Sequence, residues 1–82
     1  MPKTIHRNEY RVLLRLVKER RMQTGLTQAA CSAALGRSQS FMSDVERGVR
    51  RLDLVQLRDL CAVLETDLSS FVRGYERALR KR

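Results

Sequence analysis

Leu26-Thr-Gln-Ala-Ala-Cys-Ser-Ala-Ala-Leu-Gly-Arg-Ser-Gln-Ser-Phe-Met-Ser-Asp-Val-Glu-Arg-Gly48 is the stretch whose reading decides the fold. It predicts two short helices joined by a tight turn. Thr27 suits the N-cap of the first, because its hydroxyl can take up an orphan backbone N–H. Ala30, Cys31, Ala34 and Leu35 recur at i, i+1, i+4 and i+5, one apolar stripe of a helix. Gly36 suits the left-handed conformation of a sharp helix stop. Ser38 is expected to cap the second helix, with Met42 and Val45 facing inward and Gly48 ending the run. The small residues Ala30, Ser32 and Ala33 would let the two helices cross closely.

Outward from this pair, the apolar period continues in both directions. Tyr10, Leu13, Leu14 and Val17 lie at i, i+3, i+4 and i+7, predicting a helix from Asn8 or Glu9 to Thr24 that Gly25 ends. Val12 and Leu16 widen its apolar surface, enough for contact with the last helix or with a second subunit. Asp53 is placed to cap a fourth helix whose stripe is Leu54, Leu57, Leu60, Cys61 and Leu64. Asp67 is placed to cap a fifth, with Leu68, Phe71, Val72, Tyr75 and Leu79 on one face. Basic residues at the end of that helix suit its dipole. The expectation is an all-α fold, a compact five-helix domain over residues 9–80. Residues 1–8 form a basic lead, either disordered or an arm along a polyanion.

Eighty-two residues make one domain near the lower limit for a self-sufficient core, a size at which dimerisation often adds stability. Phe71, Val72, Tyr75 and Leu79 exceed what four short helices can cover, so they are the expected dimer interface. The net charge of +8 points to a polyanionic partner. It is uneven: residues 1–26 carry +5, residues 27–53 only +1, and residues 54–82 carry +2. Phosphate attraction would therefore come from the flanks. Cys31 and Cys61 both fall on apolar helical faces and read as buried, reduced thiols. With His6 alone in the lead and no C-x-x-C, neither a metal site nor a cofactor is expected. There is no run long enough to span a bilayer and no signal-peptide core, so the chain reads as cytoplasmic.

The helix pair resembles the helix-turn-helix of the phage repressor and Cro type, the XRE family. The resemblance rests on Gly25-Leu-Thr-Gln28, Leu35-Gly36, Ser38-Gln-Ser40 and Glu46-Arg-Gly48, and continues through Arg50-Arg-Leu-Asp53 to about Phe71. Cys31 departs from it, standing where a larger aliphatic residue is usual. Ser32 stands where the crossing usually has Ala. On a helical projection of residues 39–47, Met42, Val45 and Glu46 share one side, and Ser40, Ser43, Asp44 and Arg47 the other, with Gln39 at the N-terminal end. The resemblance implies a repressor-like fold in which Gln39, Ser40, Ser43 and Asp44, with Arg47 on the same face, read base edges. It implies that Gln28 clamps a phosphate and that Arg50 and Arg51 touch the DNA backbone, with Arg37 beside the groove. It also implies that Arg21 late in helix 1 pairs with Glu46. Phe41, at the border of the two faces, is expected against the loop after Gly48 rather than on a thymine methyl.

These readings converge on a sequence-specific double-stranded DNA-binding regulator of transcription, a homodimeric repressor or autoregulator on a palindrome-like operator. An antitoxin with a toxin partner, or a restriction–modification controller, would share the fold. A basic amphipathic module for membrane surfaces or proteins is the competing class, but Glu9, Glu19 and Glu76 interrupt its basic faces. Four aromatics offer no stacking platform for RNA. An enzyme is not expected, as the chain has one histidine and no glycine-rich phosphate loop.

Overall fold

The computed structural model describes residues 7–81, so the lead residues 1–6, including His6, lie outside the described residues. Five helices follow in order: α1 Asn8–Thr24, α2 Gln28–Ala34, α3 Phe41–Glu46, α4 Leu54–Val63 and α5 Leu68–Arg80. The helices pack as α2 on α3, α1 on both α3 and α5, and α4 on α5. Leu14, Val17, Cys31, Phe41, Met42, Val45, Leu60 and Leu64 form one core with contributions from α1 to α4. None of the described helices is long and apolar enough to cross a membrane.

Local chemistry explains most boundaries. The Thr27 hydroxyl accepts from the Ala30 N–H at 3.0 Å, opening α2. Asp53 accepts from the Gln56 N–H at 2.8 Å while the Gln56 side chain accepts from the Asp53 N–H at 2.9 Å, a capping box on α4. Asp67 caps α5 through the Ser70 N–H. At the end of α2, Gly36 at φ 68° lets its own N–H reach Ala33 and the Arg37 N–H reach Ser32, which satisfies two orphan carbonyls. Gly48 at φ 79° repeats the motif after α3, with Val49 donating to Asp44.

Three expectations need correction. Ser38 does not cap α3: the helix starts at Phe41, and residues 38–40 form a turn in which the Phe41 N–H bonds the Ser38 carbonyl at 3.0 Å. The α2 stripe is Cys31, Ser32 and Leu35 rather than Ala30, Cys31, Ala34 and Leu35, because Ala30 and Ala34 face solvent. In α4, Leu60, Cys61 and Leu64 are buried, but Leu54 is 66% exposed. Only the second half of α4 meets the core, so the periodicity at its start has nothing to pack against.

The apolar surplus is also smaller than the sequence suggests. Phe71 packs on the core, and the Tyr75 hydroxyl donates to the Glu9 carbonyl at 3.0 Å, so part of the α5 face is spent on the chain's own α1. Val12 and Leu16 turn toward α5, lining a groove with Gly74 and Ala78. Both thiols are buried and free, and burial pushes each above its ordinary value.

Candidate nucleic-acid interface

The geometry of α3 begins on its buried side. Six residues make less than two turns, too short to persist alone. Phe41, Met42 and Val45 are buried in the core. Glu46 then joins α3 to α1: Arg21 Nε donates to Glu46 Oε2 at 2.6 Å and Arg21 Nη2 to Oε1 at 3.1 Å. The side chains are 10% and 4% exposed, so this is a buried, two-pronged pair. The Glu46 hydrogen bonds hold the guanidinium's pKa above its ordinary value. The remaining prong of the arginine, Nη1, donates to the Leu26 carbonyl at 2.9 Å, tying the start of α2 into the same joint.

Gln28 completes the joint. Its amide nitrogen donates to Glu46 Oε1 at 2.9 Å. A carboxylate only accepts, so the amide nitrogen must face it, leaving a second amide hydrogen for another partner. The residue singled out as a phosphate clamp is therefore also a structural member of the α1–α2–α3 junction. A second tie joins α2 to α3. Ser32, fully buried in α2, accepts from the Met42 N–H at 3.0 Å. Helix α3 lacks a side-chain cap of its own, and Ser32 supplies one from the neighbouring helix.

The opposite side of α3 is open. Gln39 and Ser40 are exposed in the turn that precedes the helix, while Ser43 and Asp44 are half-buried and Arg47 is exposed. Arg47 Nη2 donates to Asp44 Oδ1 at 2.6 Å. The two charges thus form one unit in the middle of the face, with the guanidinium outermost. Arg37, in the turn, and Arg50, in the loop after Gly48, both lie over the Phe41 ring, at 4.7 and 5.1 Å from its centroid. Phe41 does pack against that loop, and it also belongs to the core. Such cation–π contacts hold guanidiniums in place while leaving their N–H groups free. Arg51 is exposed beside Tyr10, whose phenol is pushed up by burial while Arg51 pulls against the shift.

Gln39, Ser40, Ser43, Asp44 and Arg47 are thus exposed or half-buried outside the core, Arg37 and Arg50 gather over Phe41, and Gln28 is tied to Glu46. Two structural residues escape a reading of periodicity. Arg20 donates to the Leu64 and Glu65 carbonyls at 2.8 and 2.7 Å, clamping the end of α4, where Glu65 adopts a left-handed φ of 62°. Ser32 carried one signal, a hydroxyl where small size alone would do. Among the described residues no cluster of His, Cys, Asp and Glu could hold a metal.

Comparison with known proteins agrees with this geometry. The model of a helix-turn-helix domain family matches residues 12–71. An XRE-family like protein from Pseudomonas syringae pv. tomato str. DC3000 is 40% identical, with a TM-score of 0.83 and 92% of each chain covered. The wild-type restriction–modification controller protein C.Esp1396I shares the fold at 19% identity and a TM-score of 0.83, covering 94% of this chain and all of that one. The clp gene regulator ClgR from C. glutamicum shares it at 19% identity and 0.74, covering 90% and 95%. No curated protein matches the chain. With the motif helices, their crossing and a match over most of its length, the chain belongs to the XRE-type helix-turn-helix family of DNA-binding transcription regulators.

Proposed function

We propose that the chain is a sequence-specific regulator that binds a palindrome-like operator in double-stranded DNA as a symmetric dimer. The observation that carries this reading is the two-sidedness of α3. Its inner face is locked by Arg21 and Glu46, while Ser43 and Asp44 lie on the outer side, with Gln39 and Ser40 in the turn before it and Arg47 just after it. A locked helix with a polar outer face suits the major groove, where base pairs differ in donor and acceptor pattern. Gln39 matches the adenine edge, and Arg47 the O6 and N7 of guanine. Asp44 is the buttress that aims Arg47, and the pairing offsets the repulsion a lone carboxylate would suffer near phosphates. Gln28, Arg37, Arg50 and Arg51 contact the backbone and carry no sequence information.

The dimer would use the exposed Val72 and the half-buried Leu79 of α5, with Phe71 and Tyr75 beside them engaged by the chain's own core and α1. A repressor, a restriction–modification controller and an antitoxin would all use this surface. A co-purifying toxin would single out the last. Selection of bound sequences from random duplex DNA tests the proposal. The expected result is a two-fold motif with half-sites about one helical turn apart. Gln39→Ala should relax preference at one symmetric pair of positions at a cost of about 1–3 kcal/mol, whereas Arg50→Ala should weaken every duplex alike and lower the salt slope by about one. Loss of all sequences equally in Gln39→Ala would reassign that residue to a phosphate. A selection without any recovered motif would overturn sequence-specific binding.

A further inference from the structure

The groove between α1 and α5 has a composition that neither the core nor the reading face uses. Its floor is apolar, with Val12 and Leu16 from α1 and Gly74 and Ala78 from α5. Its rim carries Arg15 on α1, Arg77 on α5 and Lys81 just past the end of α5, and a nearby carboxylate, Glu19, lines the adjoining hollow that shares Leu16, Gly74 and Arg77. Arg15 is paired with Glu19, but among the described residues Arg77 and Lys81 have no ion pair. At about 100° per residue, Val12 and Leu16 lie across α1 from Leu14, Val17 and Arg21, the side that holds α3. DNA on α3 therefore leaves the groove open.

Gly74 adds an independent observation. It sits inside α5, where glycine is less favourable than alanine, and a Cβ there would meet nothing within 4 Å. Nothing within the chain requires a missing side chain at this position. Its absence instead lets another backbone approach the floor closely. Both floor pairs, Val12 with Leu16 and Gly74 with Ala78, are spaced i, i+4, the spacing of ridges into which a third helix packs.

We propose that this groove docks an amphipathic helix of a partner protein, its apolar stripe on the floor and its Asp or Glu residues against Arg15, Arg77 and Lys81. A second copy of the chain does not fit the role, since a two-fold contact would oppose two cationic rims. The proposal is independent of which DNA sequence α3 reads. It is tested by titrating the full-length, isotope-labelled chain with a synthetic peptide helix bearing a leucine stripe flanked by glutamates, and following amide shifts. Saturable shifts at Val12, Leu16, Gly74 and Ala78 are expected, and the same peptide with lysines for glutamates should not bind. Arg77→Glu with Lys81→Glu should weaken the peptide by about tenfold or more. Gly74→Leu should block it in a chain that remains folded. Gly74→Ala should raise Tm by about 4 °C while weakening the peptide, separating docking from stability. Shifts on α3, equal binding of the lysine peptide, or undiminished binding in the charge-reversed chain would overturn it. So would the same shifts on adding anionic vesicles or duplex DNA, which would make the groove a site for anionic surfaces.

Discussion

The two helices of the motif, seven and six residues long, are held in opposite ways. Helix α2 carries its own instructions: Thr27 caps its start, Gly36 ends it, and the chemistry of each is local. Helix α3 has a local stop at Gly48 but no local start, and its first turn borrows the Ser32 hydroxyl. Its far end is held by Arg21 across the core. A short helix fixed by its neighbours in this way cannot shift independently of them. The direction in which Ser43 and Arg47 point is thus set by α1 and α2, and under the proposed function these outer residues are free to be chosen for recognition.

The largest effect that would break this contrast is loss of the α1–α3 joint. Glu46→Ala leaves Arg21 buried without its partner and Gln28 without its acceptor. Breaking one side of such a pair costs about 3 kcal/mol, or roughly 17 °C in Tm for a domain of this size. Thermal unfolding followed by circular dichroism measures it, and a shift of a degree or two would mean that α3 does not depend on α1.

Next comes the borrowed cap. Ser32→Ala fits sterically but leaves the buried Met42 N–H unpaired, at about 2 kcal/mol. Thr27→Ala, the corresponding change for the self-capped helix, exposes its freed N–H to water and should cost about 1 kcal/mol. Urea unfolding of the two variants side by side sharpens the comparison. Equal costs would show that α3 is capped no more stringently than α2.

The smallest effect lies at α5, another self-capped helix. The Ser70 backbone N–H, with help from the Ser70 hydroxyl, holds the Asp67 carboxyl below the ordinary carboxylate range. A carboxyl more acidic in the folded chain contributes stability above its unfolded pKa of 3.8 and loses it as pH falls through the folded value. Asp67→Asn should therefore flatten the fall in stability below about pH 4 while changing little at pH 7. An acid limb identical to that of the parent chain would show that the cap is not felt as a charge.

Read alone, the sequence was sufficient for the order of the five helices and for the inward side of α1, but not for that of α2, where Ser32 is buried and Ala30 and Ala34 face solvent. Thr27, Asp53 and Asp67 at the starts and Gly25, Gly36 and Gly48 at the ends act through bonds a few residues long, so they are legible without a partner. The outward placement of Gln39, Ser40, Ser43, Asp44 and Arg47 follows from the same periodicity, because Met42, Val45 and Glu46 claim the other side. The start of α3, the exposure of Leu54 and the engagement of Phe71 and Tyr75 were decided only in three dimensions. So were the Ser32 hydroxyl on Met42, the Arg37 and Arg50 guanidiniums over Phe41, and the Arg20 clamp on α4. The physical reason is one of range. A cap or a glycine stop is completed within its own turn, whereas a helix too short to persist alone takes its position from whichever donors, rings and carbonyls the rest of the chain brings to it.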